Sequence, residues 1–485
     1  MKAYTDLHKS YINGEWRDGN GKQSIDMINP FTDETIFTFQ TVSESDIDEA
    51  YEAALKAQKE WAKTTPSQKR NVFDKAIRIM EDRKEELTGW MTRESGSTLL
   101  KAATEWDITF EAMRVAAAYP YNMKGEIYPS LVPGKESRMY RNPRGVITVI
   151  TPWNFPMNLS MRSIAPALAT GNGVLVKPAE DTPVTGGTII AKIFEEAGLP
   201  KGLLNVVLGK GSDIGDYVVE HPVPDLISFT GSTPVGKGIA VRAGERMKDV
   251  SLELGGNNVF IALDDIDVDK AVDAAIFGTF MHQGQICMAI NRIMVDEAVV
   301  DAFTQKFAER AALLKAGDPT DPNTVIGPII NSRQKEKINN MLDEAIAAGA
   351  KLLTERKTVG NVIHPVVLSN VTNDMPIARN EIFGPATSII VFNGDDEAIH
   401  LANDTEQGLS GAVYSGNAER ALKVARSIKT GMIHINDQPV NDDANAVFGA
   451  EKQSGVGRFN GDFVMNKFTT TQWVTVQHEE RQYPF

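Results

Sequence analysis

Apolar positions recur along the 485-residue chain with two different periods. Between about 46 and 100 they fall three and four residues apart. Ile47, Ala50, Tyr51, Ala54 and Leu55 share one face of a predicted helix, with Ser45 as its expected N-cap. A second helix is expected after Ser67, carried by Phe73, Ile77 and Met80, with the charge run 81–86 as its solvated end. From about 144 the period changes. Short apolar runs at 146–150, 174–176, 203–208, 226–229 and 250–254 read as strands. Helical stretches at 185–197 and 235–247 lie between them, the first closed by Gly198-Leu199-Pro200. Strands separated by crossover helices pair in parallel, which predicts a doubly wound α/β sheet. The alternation resumes from Val259 to about 435, so two α/β lobes are expected. The Thr-rich run 468–476, with Trp473, predicts a terminal strand that needs a sheet to join, in this subunit or a neighbouring one.

Length alone predicts about three domains. Hydrophobic residues at 42% and charged residues at 24% are the balance of a soluble globular protein. Lys plus Arg total 50 against 64 for Asp plus Glu, a net charge of −14 that argues against a nucleic-acid partner. A single cysteine, Cys287, excludes an intrachain disulfide and any cysteine-built zinc or iron–sulfur site, and no metal is expected. No apolar h-region follows Met1, and no apolar run approaches about 18 residues, so the expectation is a cytoplasmic protein without a membrane partner.

Several segments could carry chemistry. Cys287, in His282-Gln283-Gly284-Gln285-Ile286-Cys287-Met288, reads either as a small buried hydrophobe or as a thiolate nucleophile. His282 is the only histidine near it, and a structural role is expected for it. The loop Phe229-Thr230-Gly231-Ser232-Thr233-Pro234-Val235-Gly236 follows a strand and opens a helix, where backbone N–H groups meet a pyrophosphate. Two glycines five apart fall short of the three-glycine dinucleotide fingerprint. The stretch 209–215 has a spacing one residue too long and reads as a turn. Glu253, 22 residues after Gly231, and Glu180, at the end of another strand, compete for a ribose hydroxyl, and spacing favours Glu253. Asn154, between Pro152-Trp153 and Phe155-Pro156, is either a turn former or a fixed hydrogen-bond donor.

Taken together and in order, the segments 151–156 (Thr-Pro-Trp-Asn-Phe-Pro), 177–180 (Lys-Pro-Ala-Glu), 229–232 (Phe-Thr-Gly-Ser), 253–256 (Glu-Leu-Gly-Gly), 284–287 (Gly-Gln-Ile-Cys) and 381–385 (Glu-Ile-Phe-Gly-Pro) resemble the NAD(P)-dependent aldehyde dehydrogenase superfamily over nearly the whole chain. Within it the chain looks most like the benzaldehyde, vanillin and salicylaldehyde dehydrogenase group, on segments 154–162 and 282–288. The resemblance implies that Cys287 is the nucleophile, Glu253 the general base and Asn154 an oxyanion donor. It implies that Lys177 and Glu180 hold the adenine ribose, reversing the spacing argument. Gly231, Ser232 and Gly236 would form the pyrophosphate loop, and Trp153, Glu381 and Phe383 would surround the nicotinamide. A carboxylate at Glu180 accepts from a free 2′-hydroxyl and repels a 2′-phosphate, which favours NAD; Lys177 softens that repulsion, so NADP stays open.

The resemblance further implies a cofactor-binding domain over 1–119 and 144–253, a catalytic domain over 254–455, and an oligomerisation element over 120–143 and 456–485, in a homodimer or homotetramer. Met157, Met161 and Met288 are expected to flank the aldehyde. The chain departs from the family pattern at Ser163, where many relatives carry lysine, at Asn380, and in the segment 447–455. The expected reaction is oxidation of an aldehyde, of the aromatic type, to the acid. The competing readings are an aliphatic aldehyde or semialdehyde dehydrogenase, a coenzyme-A-acylating relative, a cysteine hydrolase and a non-catalytic binding protein.

Overall fold

The computed structural model describes residues 2–485. The early helical region forms α1 (Glu44–Lys63), α2 (Pro66–Asp82), α3 (Lys84–Ser95) and α4 (Leu99–Ala116). Ser43, not Ser45, caps α1: its Oγ accepts from Asp46 N–H at 3.3 Å, and the Asp46 carboxylate accepts from Ser43 N–H at 2.8 Å. This reciprocal box satisfies two helix-end donors at once. Helix α2 starts at Pro66, earlier than expected, because Thr65 and Gln68 make the same box. The run 81–86 is not one solvated end. Helix α2 stops at Asp82, Arg83 is buried with its guanidinium 3.8 Å from the centre of the Tyr4 ring, and Lys84 opens α3.

Strands β1 (Val146–Ile150), β2 (Gly173–Lys177), β3 (Leu204–Val206), β4 (Leu226–Thr230) and β5 (Asp249–Glu253) pair in parallel in the order β3-β2-β1-β4-β5. Helices α5 (Pro156–Ala169), α6 (Ile189–Glu196), α7 (Gly211–Glu220) and α8 (Thr233–Glu245) connect them. Short antiparallel strands at the two edges complete an eight-stranded sheet. The stretch 209–215 is therefore not a simple turn, since α7 begins at Gly211. Its glycines fail the fingerprint spacing, yet it is still a strand-to-helix junction. The stretch 185–197 divides into a π-turn, Val184–Thr188, and α6; Val184 and Thr185 N–H groups donate to the buried Glu94 carboxylate at 2.6 and 2.8 Å.

Chain direction across the sheet reverses between β1 and β4, which opens a crevice at their carboxyl ends. Ile150 pairs with Phe229 and Lys177, and Thr230 pairs with Glu253, so the loops after all four strands leave from one edge. The second sheet has seven strands. Its parallel centre contains β6 (Asn258–Ala262), β7 (Ile290–Asp296), β8 (Val366–Ser369), β9 (Ala386–Phe392) and β10 (Gly411–Tyr414), in the order β8-β9-β7-β6-β10. Helix α9 (Val268–Phe280) joins β6 to the loop before β7. The architecture is the α/β arrangement expected from the strand–helix alternation.

The terminal strand, Thr469–Gln477, pairs over its whole length with Lys135–Pro143 of the same chain, which in turn pairs with Glu126–Pro129. This three-stranded antiparallel sheet leaves Trp473 and Ile127 73% and 70% exposed. No helix among the described residues is long and apolar enough to cross a membrane.

Candidate active site

Cys287 lies in the loop between α9 and β7, at the amino end of the second sheet. His282, Gln283 and Gly284 all have left-handed backbone, with φ of 50°, 57° and 69°. Two non-glycine residues held there in succession cost free energy, so neighbours must enforce the shape. They do so with amides. Gln283 Nε2 donates to Pro328 O at 2.9 Å, and Gln285 Oε1 accepts from Ile330 N–H at 3.1 Å. Asn258, at the start of β6, donates to the carbonyls of Cys287 at 2.7 Å and Ala289 at 2.9 Å. A Cβ on Gly256 would stand 2.3 Å from the Cys287 carbonyl oxygen, so only glycine permits this approach. His282 is fully buried, packed edge-on against Phe155 at 5.7 Å between ring centres, as the structural reading expected.

Asn154 leaves the carboxyl end of β1 and precedes α5. One of its amide hydrogens donates to Gln285 O at 3.0 Å, tying it to the Cys287 loop. A carboxamide carries a second N–H, which is free to serve a ligand. The first turn of α5 has no cap from its own side chains. Glu105 of α4 supplies one instead: its Oε1 accepts from Met157 and Asn158 N–H at 2.8 and 3.1 Å. Lys101, fully buried beside it, donates to Glu105 Oε2 at 2.5 Å and sits 4.3 Å from the Phe155 ring centre.

Two cavities meet at Cys287. One is mainly apolar and is lined by Phe155, Leu159, Phe277, Met281, Met288 and Phe448 among others. The other is lined by Trp153, Gly231, Ser232, Glu253, Glu381 and Phe383. Cys287, Asn154 and Leu159 line both. Of the three methionines expected beside the first cavity, only Met288 lines it; Met157 and Met161 are fully buried in the core. The phase of α5 decides this. Asn158 and Arg162, four apart on α5, lie on the cavity face, while positions 157 and 161 turn away.

Burial dominates the electrostatics. It pushes the Cys287 thiol up to about 12, reinforced by the nearby Glu381 carboxylate and opposed by the Arg162 guanidinium. It pushes the Glu253 carboxyl up to about 8; both Glu253 oxygens lack a hydrogen-bond partner. Glu381 is raised to about 7, again by burial, although its Oε1 accepts from Gly256 N–H at 3.0 Å. A carboxyl that is dry, unpaired and titrates near neutrality is suited to exchange a proton with water.

Of the expected cofactor residues, Trp153, Lys177, Glu180, Gly231 and Ser232 end or follow strands at the carboxyl edge of the first sheet, and Glu381 and Phe383 precede β9 of the second. Lys177 ends β2, with Nζ on Pro178 O at 3.1 Å and on Glu180 Oε2 at 3.5 Å. Ser232 precedes α8, and its hydroxyl makes no cap bond to that helix. Gly236 sits inside the first turn of α8, where a Cβ would stand 2.3 Å from a Leu254 methyl; close helix–sheet packing is its reason. Trp153 and Phe383 meet edge to face at 5.4 Å. The two acids that competed for one ribose are separated: Glu253 shares a cavity with Cys287, and Glu180 pairs with Lys177.

Other residues of the site escaped the sequence reading. Gln334 donates to Phe383 O at 3.0 Å and Lys337 to Glu381 O at 3.1 Å, so one helix, Ser332–Ala347, fixes the Glu381–Phe383 loop. Gly211 lies beside Lys177 Nζ, its built Cβ at 3.7 Å, which brings the start of α7 to the same edge. The strand-to-helix position of 209–215 was the available signal for Gly211. Asn258, Glu105 and Lys101 carried no local signal.

Three comparisons relate the whole chain to known proteins. The sequence profile of the Aldehyde dehydrogenase family matches residues 16–474. Benzaldehyde dehydrogenase YfmT of Bacillus subtilis (strain 168) is 47% identical over 485 residues, covering 100% of both chains. A vanillin dehydrogenase of Corynebacterium glutamicum is 48% identical over 477 residues, covering 98% of this chain and 99% of that one. The crystal structure of an NAD-dependent benzaldehyde dehydrogenase from Corynebacterium glutamicum superposes with a TM-score of 0.91 at 45% identity, covering 98% of this chain and 100% of that one. With a family profile spanning nearly all of it and full-length relatives at this level of identity, the chain belongs to the aldehyde dehydrogenase family.

Proposed function

We propose that the protein oxidises aromatic aldehydes of the benzaldehyde or vanillin type to carboxylic acids with NAD+. The observation that carries this reading is the junction of an apolar, ring-lined cavity with a polar one at Cys287 and Asn154. Cys287, a thiol in the resting site, loses its proton and attacks the aldehyde carbon as the thiolate, forming a C–S bond and an oxyanion. The second Asn154 N–H and the Cys287 backbone N–H stabilise that oxygen, and one such donor is worth about 3 kcal/mol. Lys177 and Glu180 would hold the adenine ribose, Ser232 and Gly231 the pyrophosphate, and Trp153, Glu381 and Phe383 the nicotinamide end. The strand-end carboxylate, the uncapped start of the 13-residue helix α8 and the roomy second cavity fit that cofactor. Bound NAD+ supplies the hydride acceptor that turns the Cys287 adduct into a thioester. Glu253 then takes a proton from water, which attacks the thioester, releases the acid and restores the thiol. NAD is favoured over NADP by the Glu180 carboxylate.

The assignment of 1–119 and 144–253 to the cofactor, 254–455 to catalysis, and 120–143 with 456–485 to oligomerisation belongs to the same proposal. So do a cytoplasmic location and a homodimer or homotetramer. The test is a panel of benzaldehyde, vanillin and short aliphatic aldehydes with NAD+ or NADP+, followed by cofactor reduction. Reduction with the aromatic members and NAD+ is expected. Turnover of aliphatic aldehydes alone would remove the aromatic assignment, and no turnover with any aldehyde would remove the enzyme.

A further inference from the structure

A dinucleotide bound in the proposed way is held by both lobes, its adenine ribose by Lys177 and Glu180 of the first and its nicotinamide end by Glu381 and Phe383 of the second. The reaction therefore needs the two holds at a fixed separation, because a small error in the position of a reacting atom costs rate steeply. One contact crosses between the lobes beside the ribose residues. Asn331 Nδ2 stands 3.3 Å from each carboxylate oxygen of Asp181, the residue after Glu180. Burial and the adjacent Glu180 charge push the Asp181 carboxyl up, while the Asn331 hydrogen bond and the Arg333 and Lys177 charges oppose the rise. Asp181 thus feels the charges of the ribose edge, although its hydrogen bond goes to the other lobe.

Asn331 has a second role. Its Oδ1 accepts from Gln334 N–H at 2.9 Å, which makes it the N-cap of the helix Ser332–Ala347 and leaves its amide hydrogens for Asp181. From the same helix start, Gln334 donates to Phe383 O and Lys337 to Glu381 O, and both side chains line the polar cavity at Cys287. Positions 331, 334 and 337 are three apart, so they fall within about a third of the helix circumference. One residue before the cap, Ile330 N–H donates to Gln285 Oε1, in the loop that carries Cys287. The segment 330–337 therefore joins three parts of the site: the ribose edge, the nicotinamide loop and the nucleophile loop. Through Asp181 it is bonded to the first lobe, at the point where that lobe meets the ribose.

We propose that Asp181 and Asn331 are positioning residues, whose contact sets the nicotinamide loop and the Cys287 loop relative to the adenine ribose. This rests on the NAD reading and extends it to residues that touch neither cofactor nor substrate. The test variants keep the cap. Asn331→Asp still caps the helix, since aspartate and asparagine serve equally there, but it turns a carboxylate toward Asp181. Adding Asp181→Asn restores a donor facing an acceptor, with the two sides exchanged. Asn331→Asp is expected to slow the pre-steady-state burst of NADH by about tenfold or more. Its Tm stays near that of wild type, and so does the inhibition constant of AMP, which fills the adenosine end alone. The double variant regains most of the burst rate. A wild-type burst in Asn331→Asp, or a slow burst that Asp181→Asn does not recover, overturns the proposal. So does an AMP constant that rises in step with the lost rate, because that is damage to the ribose site itself. A second arm needs no turnover. Without cofactor, alkylation of Cys287 by iodoacetamide should be faster in Asn331→Asp than in wild type and return to the wild-type rate in the double variant. Equal rates in all three overturn the proposal as well. A wild type that oxidises no aldehyde yet shows this alkylation pattern would sink the proposed activity and keep the positioning contact.

Discussion

At the scale of single residues, the chemistry depends on groups deprived of water. Glu253 is 2% exposed with neither oxygen paired, and burial raises it to about 8. A base must be deprotonated to act, so acid release should climb as pH rises through about 8 and level off above it. In Glu253→Gln a single-turnover burst of NADH should remain while steady-state turnover falls by about 100-fold or more, with no limb near pH 8. A wild-type limb near pH 4 to 5 would remove the burial argument. The same shift has a stability side. A folded-state value raised above the unfolded one stabilises below about 4.5 and loses that contribution as pH rises through 8. Cys287, Asn154 and Glu253 stood out as candidates in the sequence, but their residue types left two readings for each, and only the ordered motifs of the family resemblance implied their roles. Arg162 did not stand out, since nothing local distinguishes a solvated arginine from one stacked between Phe448 and Phe459.

At the scale of elements, the site is assembled by side chains that cap and pin other elements. Glu105 on α4 terminates α5 from outside, and Lys101 neutralises it in a fully buried pair. Glu105→Ala would leave Lys101 charged and dry and two helix-end N–H groups open. A destabilisation of about 3–5 kcal/mol is expected, read as a lower Tm, because breaking a buried pair costs more than removing it. Lys101→Met combined with Glu105→Leu should recover part of that loss. If the double variant were less stable than Glu105→Ala alone, the uncompensated-charge account would fail. The strands of the first lobe were legible almost residue for residue, as continuous apolar runs between helices. The caps were less so. Ser43 and Ser45 offer the same hydroxyl, each with an aspartate three residues on (Asp46 and Asp48), so only the folded start of α1 selects Ser43.

At the scale of the whole molecule, the cleft forms because the carboxyl edge of one sheet meets the amino edge of the other. Asn154, Lys177, Ser232 and Glu253 follow or end strands of the first sheet, whereas Cys287 and Glu381 precede strands of the second. Away from the cleft, the sheet of Glu126–Pro129, Lys135–Pro143 and Thr469–Gln477 exposes Trp473, Ile127 and the fully exposed Leu131 nearby. Exposed apolar area of this kind is what the oligomerisation role proposed for this sheet requires. Truncation before Thr469, or Trp473→Asp, should therefore give a smaller species than wild type in analytical ultracentrifugation. A wild type that sediments as a monomer would remove the assignment of this sheet to oligomerisation.

The amino-acid sequence by itself determined the alternation of strands and helices, and with it the two lobes, because period and chain direction are local properties repeated many times over. It also determined the residue types at the reactive positions. Only the tertiary structure decided which acid shares a cavity with Cys287, which face of α5 lines that cavity, and that Arg162 rather than Met157 or Met161 reaches it. Those outcomes depend on the rotation of one helix against a loop more than 120 residues away, and no local pattern encodes such a contact.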